Sequence, residues 1–247
     1  MNMAISIGNS NVRVAVAQAQ TLQTWQFPIA GDAAYELHNI FSVLREPVAA
    51  CILSSVQPDI TKSIRNAVRP HCLQEPIVAS TASGFALDYS GYDGLLGIDR
   101  AICCEAVYLS QQTPFVMIDL GTATTINVVD AESRFIGGMI LPGVQMGLAA
   151  LSKGTALLPH ADLRPASPLL GRNTTECLLS GAIYGTASLL DAAINRIWAN
   201  MGMRGHTVIT GGNAPFVIPA MQTPCQYEEH LIMTGLFTIL ERVNEVL

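Results

Sequence analysis

Met3, Ile5 and Ile7 alternate with their neighbours at the start of the chain, the period of a β-strand. Gly8-Asn9-Ser10-Asn11 interrupts them, and Val12, Val14 and Val16 then alternate again. The pattern predicts a strand, a tight polar turn and a returning strand. It recurs in the second half, where the apolar run Phe115-Val116-Met117-Ile118 ends in Asp119. Gly121-Thr122-Ala123-Thr124 follows, then a second strand through Ile126, Val128 and Val129. Each half also holds a later buried-strand run, Ala49–Leu53 before Ser54-Ser55 and Thr207–Thr210 before Gly211-Gly212-Asn213.

Helical spacing fills the intervals. Leu37, Ile40, Phe41 and Leu44 share a face, with Asp32 placed as N-cap, and Ile60, Ile64 and Val68 step by four. Thr174–Asn200 is a long apolar helical pattern containing Gly181 and Gly185, whose spacing suits close approach of another helix. Ile232, Leu236, Ile239, Leu240, Val243 and Leu247 form a last stripe. Strands followed by helices, twice over, predict an α/β protein of two similar lobes, 1–110 and 111–247, with a ligand cleft between them.

Composition narrows the function classes. Of 247 residues half are hydrophobic and 13% are charged, so a disordered scaffold is excluded. Net charge is −6, and Lys62 and Lys153 are the two lysines, which argues against nucleic acid and anionic lipid as partners. The apolar stretches 135–158 and 231–240 are broken by polar residues, and no basic flank of a signal peptide opens the chain. A soluble, cytoplasmic protein is expected. Six cysteines without CxxC or Cys/His spacing read as small core hydrophobes, with no zinc and no disulfide expected.

Five segments offer chemistry. The loops Ser6-Ile7-Gly8-Asn9-Ser10 and Asp119-Leu120-Gly121-Thr122 each put a glycine and short hydroxyls at a strand end, where bare N–H groups can meet phosphate oxygens. Either alone is also an ordinary turn, but a matched pair could grip a polyphosphate. No GxxxxGK[ST] loop exists. Gly97-Ile98-Asp99-Arg100 opens a helix, so Asp99 either stabilises the helix end or serves as general base beside Arg100. Gly137-Gly138 and Pro142-Gly143 suggest close backbone packing, and Thr210–Asn213 is either a nucleotide-docking edge or a plain turn.

In order and spacing, Gly97-Ile98-Asp99-Arg100, Asp119–Thr125, Gly137-Gly138, Pro142-Gly143, Asn173-Thr174 and Ser180-Gly181 resemble the type III pantothenate kinases, over nearly the whole chain. The resemblance implies the duplicated ribonuclease H-like architecture of the acetate and sugar kinase/Hsc70/actin (ASKHA) superfamily, with an inter-lobe nucleotide cleft. It also implies transfer of the ATP γ-phosphate to the primary hydroxyl of pantothenate, the first step of coenzyme A biosynthesis. By position, Asp99 would be the base, and Gly97, Ile98, Asp99 and Arg100 would hold pantothenate with Tyr92, for which Tyr89 competes. Thr174 of a homodimer partner would close the acceptor pocket at the interface. Ser6, Ile7, Gly8, Asn9, Ser10, Asn11, Val12 and Arg13 would cradle ATP with Thr122, alongside Mg²⁺. Asp119 would bind a monovalent cation, K⁺ or NH4⁺.

Two positions depart from the family pattern. Ser6 stands where the first loop normally opens with aspartate, and Asn127 where many relatives carry aspartate. Both remove negative charge from around the nucleotide. A catalytically impaired binding or regulatory protein, and a kinase of another small hydroxylated metabolite, are therefore the competing expectations.

Overall fold

The structure is a computed structural model that describes residues 1–247 except 19–20, 81–83, 112, 166 and 247, so Leu247 of the last stripe lies outside the described residues. The chain runs through β1 (Asn2–Ile7), β2 (Asn11–Gln18), β3 (Thr21–Pro28), α1 (Ala33–Val43), β4 (Ala50–Ser55), α2 (Pro58–Val68), β5 (Ile77–Val78) and α3 (Ile98–Gln111). It continues through β6 (Phe115–Leu120), β7 (Ala123–Val129), β8 (Phe135–Pro142), α4 (Val144–Gly154), α5 (Thr174–Ser180), α6 (Thr186–Met201), β9 (His206–Thr210), α7 (Ala214–Val217), β10 (Gln226–Tyr227) and α8 (Leu231–Val246). Two compact units result. One comprises Met1–Asp88, Asp93–Leu109 and His230–Leu247, the other Tyr89–Tyr92 and Ser110–Glu229.

Each unit is built on a mixed five-stranded sheet, ordered β3-β2-β1-β4-β5 and β8-β7-β6-β9-β10. The hairpin partner of each central strand is antiparallel and the later strands are parallel in both sheets. The repeat read in the sequence is thus a repeat of topology. It reaches the register: Ser6 lies opposite Arg13 and Ser54, and Asp119 opposite Thr125 and Thr210.

In the first unit β1 is buried on both faces because its alternation is of size rather than polarity. Met3, Ile5 and Ile7 point with Val12, Val14 and Val16 into a core closed by Leu37 and Ile40 of α1 and Ile64 and Val68 of α2. Ala4 and Ala15 face Ile102 of α3 and Leu236, Ile239 and Leu240 of α8. Small residues there let the helices sit close. A Cβ at Gly235 would fall 2.6 Å from the Ile102 carbonyl oxygen. The final helix therefore packs with the first unit, whereas the sequence reading ran the second lobe through residue 247. Asp32 caps α1 as expected, its Oδ1 accepting the Ala34 and Tyr35 N–H groups at 3.0 and 3.1 Å.

In the second unit α5, a π-helical turn over Gly181–Gly185, and α6 form one helical run. Asn173 caps it by accepting the Glu176 N–H at 2.9 Å, and Gly202 ends it in the left-handed conformation, φ +64°. Leu190, Ile194 and Trp198 carry its buried stripe into the core formed by Val116, Ile118 and Ile126. By length and composition Thr174–Met201 could also cross a membrane, a property the sequence reading did not consider for this segment. A core helix with one buried apolar stripe meets the same test. Among the described residues outside its own helix backbone, nothing lies within 4 Å of a Cβ at Gly181 or Gly185, so no described helix of this chain makes the close approach there.

Asp191 of α6 staples the far end of the unit by accepting the Gln222 and Thr223 N–H groups at 2.9 and 2.8 Å. Burial pushes its carboxyl up, but these hydrogen bonds outweigh it and hold the group below its ordinary value. A carboxylate with a lowered folded pKa stabilises the fold above its unfolded pKa, about 4, and the contribution fades as pH falls through the folded value. Asp191→Asn should therefore cost about 1 kcal/mol near pH 7. The difference from wild type should shrink as pH falls below about 4 and vanish only once the pH lies below the lowered folded value, where the wild-type carboxyl is protonated too. Urea unfolding of both proteins near neutrality and in acid checks this; an undiminished difference in acid would contradict it.

Four cysteines are buried, but Cys177 is exposed and Cys225 half-buried, which corrects the uniform core reading. Burial pushes the Cys104 thiol well up and keeps it protonated.

Candidate active site

The first-unit elements of the site are the β1–β2 hairpin and the start of α3. At the hairpin, Gly8 N–H donates to the Asn11 carbonyl at 3.0 Å, and Ile29 N–H donates to the Ser10 carbonyl at 2.9 Å. Gln57 Nε2 donates to Asn9 Oδ1 at 3.0 Å, which ties the tip to the turn before α2. Asn9 and Ser10 are exposed. Ile7 and Val12 point into the core. Any part they take in phosphate binding is through their backbones. Ser6 is 8% exposed, and Arg13 Nε donates to Gln26 at 3.1 Å.

At the start of α3, Asp99 Oδ1 accepts the Arg100 N–H at 2.9 Å. The carboxylate folds back over the helix N-terminus, where the helix dipole favours negative charge. A Cβ at Gly97 would sit 2.6 Å from that same oxygen, so the carboxylate occupies space that a glycine leaves. Asp99 is half-buried, and among the described residues it forms no ion pair. Asp99 Oδ1 thus serves the helix end. Arg100 is 8% exposed, at the head of a run of eight buried residues.

In the second unit the β6–β7 hairpin is braced by bare backbone. A Cβ at Gly143 would lie 2.1 Å from the Thr122 carbonyl oxygen, and one at Gly211, where φ is +99°, 2.4 Å from Asp119 Oδ1. Asn213 donates through its backbone N–H to the Leu120 carbonyl at 2.9 Å and through Nδ2 to the Gly121 carbonyl at 3.0 Å. Gly211-Gly212-Asn213 is thus the support of the Asp119 hairpin, a role the sequence reading did not assign to Gly211, Asn213 or Gly143. The signal becomes legible once β9 is known to run parallel to β6, since that register sets Thr210 beside Asp119. Gly138 serves packing, because a Cβ there would strike the Ile126 carbonyl oxygen at 1.8 Å.

Tyr89 and Tyr92 both pack on Phe135, with ring centroids at 5.7 and 5.3 Å, so this contact does not separate the two candidates. Thr174, the first residue of α5, lines a cavity of about 510 Å³ with Gly143, Val144, Leu148, Leu178 and Gly181.

The donor set bears on a metal. Among the described residues no group of three or more His, Cys, Asp or Glu forms a metal cage. Mg²⁺ carried on nucleotide phosphates needs only one or two protein oxygens. In the second unit the Asp119 carboxylate is an oxygen donor of that kind; in the first unit Ser6 offers a hydroxyl. Gly121 and Gly211 let backbone approach the Asp119 carboxylate closely, since a Cβ would fall 3.2 and 2.4 Å from its Oδ1.

The family model for type III pantothenate kinases matches residues 2–196. A type III pantothenate kinase from Parafrankia sp. is 31% identical, covering 99% of each chain, and one from Roseiflexus sp. is 30% identical, covering 98% of each. The chain belongs to the type III pantothenate kinases. Solved structures share its two-lobed α/β fold. A Campylobacter jejuni protein assigned to the Baf family of transcriptional activators superposes with TM-score 0.64 at 20% identity, covering 99% of this chain and 100% of its own. The activator of the 2-hydroxyisocaproyl-CoA dehydratase from Clostridium difficile, with bound ADPNP, superposes with TM-score 0.53 at 11% identity, covering 99% and 96%.

Proposed function

We propose that this type III pantothenate kinase transfers the γ-phosphate of ATP to the primary hydroxyl of pantothenate, yielding 4′-phosphopantothenate and ADP. The observation that carries the mechanism is the Asp99 carboxylate at the start of α3, pinned by the Arg100 N–H and given room by Gly97. Asp99 takes the hydroxyl proton as the oxygen attacks the γ-phosphorus, and the bond to the β,γ-bridging oxygen breaks. Gly97, Ile98 and Arg100 hold the acceptor with Tyr92 or Tyr89, and Thr174 of a second copy in a homodimer closes its pocket. Residues Ser6 to Arg13 and Thr122 bind ATP, and Asp119 holds K⁺ or NH4⁺. When bound, Mg²⁺ would neutralise phosphate charge, held by the nucleotide with Asp119 or Ser6. The expected setting is the cytoplasm, with no nucleic acid or membrane partner.

The test is ADP release by the purified chain with ATP and Mg²⁺, with and without pantothenate and K⁺, and mass detection of the phosphorylated product. Pantothenate-dependent turnover is the expected result. Nucleotide binding without turnover on pantothenate would favour the regulatory reading. That reading draws on Ser6, which leaves the first hairpin without a carboxylate. Turnover only with another hydroxylated metabolite would move the substrate and keep the chemistry.

A further inference from the structure

The interior helix α3 carries a carboxyl group that the proposed chemistry does not use. Glu105 is 0% exposed, within the buried run Arg100–Val107. Such a group is costly to bury unless hydrogen-bonded. Its Oε1 accepts the Leu87 N–H at 2.8 Å and its Oε2 the Ala86 N–H at 3.0 Å. Arg242 of α8 approaches Oε2 at 3.6 Å and donates to the Gly84 carbonyl at 3.5 Å. One side chain of α3, assisted by one of α8, thus fixes residues 84–87, which belong to no strand or helix. That segment feeds into Asp93–Gly97 and the first turn of α3, so the clamp and Asp99 ride on the same helix.

Resting on the pantothenate kinase reading, we infer that Glu105 is a positioning residue for the acceptor-binding segment. It sets the register of the incoming chain against the Asp99 turn. At 1.5 Å of rise per residue it lies about 9 Å along the helix from Asp99, so it acts through backbone and not on substrate. Glu105→Gln is nearly isosteric and replaces one acceptor oxygen with an NH2 group that faces an N–H donor.

The test uses the full chain and two readouts. Steady-state kinetics should show KM for pantothenate raised about tenfold in Glu105→Gln, the scale of a lost hydrogen bond to a charged group. Both kcat and KM for ATP should stay within about twofold. Amide hydrogen exchange should show Ala86 and Leu87 opening at least about tenfold faster while β1 and β4 keep their protection. Faster exchange with an unchanged pantothenate KM would reduce Glu105 to a structural role and overturn the inference, as would unchanged exchange at Ala86 and Leu87. A wild-type chain inert toward pantothenate would instead overturn the functional reading and with it the acceptor role, leaving the exchange rates to decide the clamp alone.

Discussion

Asp99→Asn should lower kcat for phosphate transfer to pantothenate by about 10²–10⁴-fold, the usual share of a general base, while the protein stays folded. The amide keeps an oxygen that accepts the Arg100 N–H, now 2.9 Å from Oδ1, and it fits the space beside Gly97 as well as the carboxylate does. What it loses is a proton acceptor. The lost charge near the helix N-terminus costs only about 0.3–1 kcal/mol of stability, so thermal unfolding should hardly move. Steady-state kinetics with ATP and pantothenate, paired with a melting curve, separate the two effects. An Asp99→Asn enzyme at full rate would leave the carboxylate with only its helix-capping duty.

Gly211→Ala should be among the most damaging small substitutions in the second unit. Two independent costs meet there. At φ +99° an L-residue is strained. The new methyl would also lie 2.4 Å from Asp119 Oδ1 and 2.5 Å from the Leu120 carbonyl carbon. Backbone cannot yield as a flexible side chain does, so the hairpin must shift. A destabilisation of about 2–4 kcal/mol is expected, together with weaker ATP binding and blunted stimulation by K⁺, because the displaced loop carries both Asp119 and Thr122. Urea denaturation measures the first effect, and calorimetric ATP titration with KCl-dependent kinetics the others. Unchanged stability and unchanged nucleotide affinity would show that the Asp119 loop does not depend on this glycine.

Helix caps and strand pairs were legible from local chemistry alone. Asp32 precedes an apolar periodic run, and its side-chain oxygen reaches N–H groups two and three residues on, a contact that needs no distant partner; Asn173 caps α5 by the same local chemistry, though the sequence reading did not assign it. The β1–β2 and β6–β7 hairpins were legible because each joins two apolar runs across a short polar turn. Cys177 was misplaced because its apolar neighbours in sequence lie on other faces of the helix.

By itself the sequence determined the duplicated plan, the Gly97-Ile98-Asp99-Arg100 turn and the glycine-tipped loops, since periodicity, capping and turn chemistry act over a few residues. Only the tertiary structure decided that Gly143, Gly211 and Asn213 brace the Asp119 hairpin, that Glu105 clamps residues 84–87, and that α8 packs with the first unit. Those facts rest on parallel strand register, close backbone approach and side-chain contacts between segments as far as 158 residues apart, as with Gly84 and Arg242. No local propensity encodes such separations.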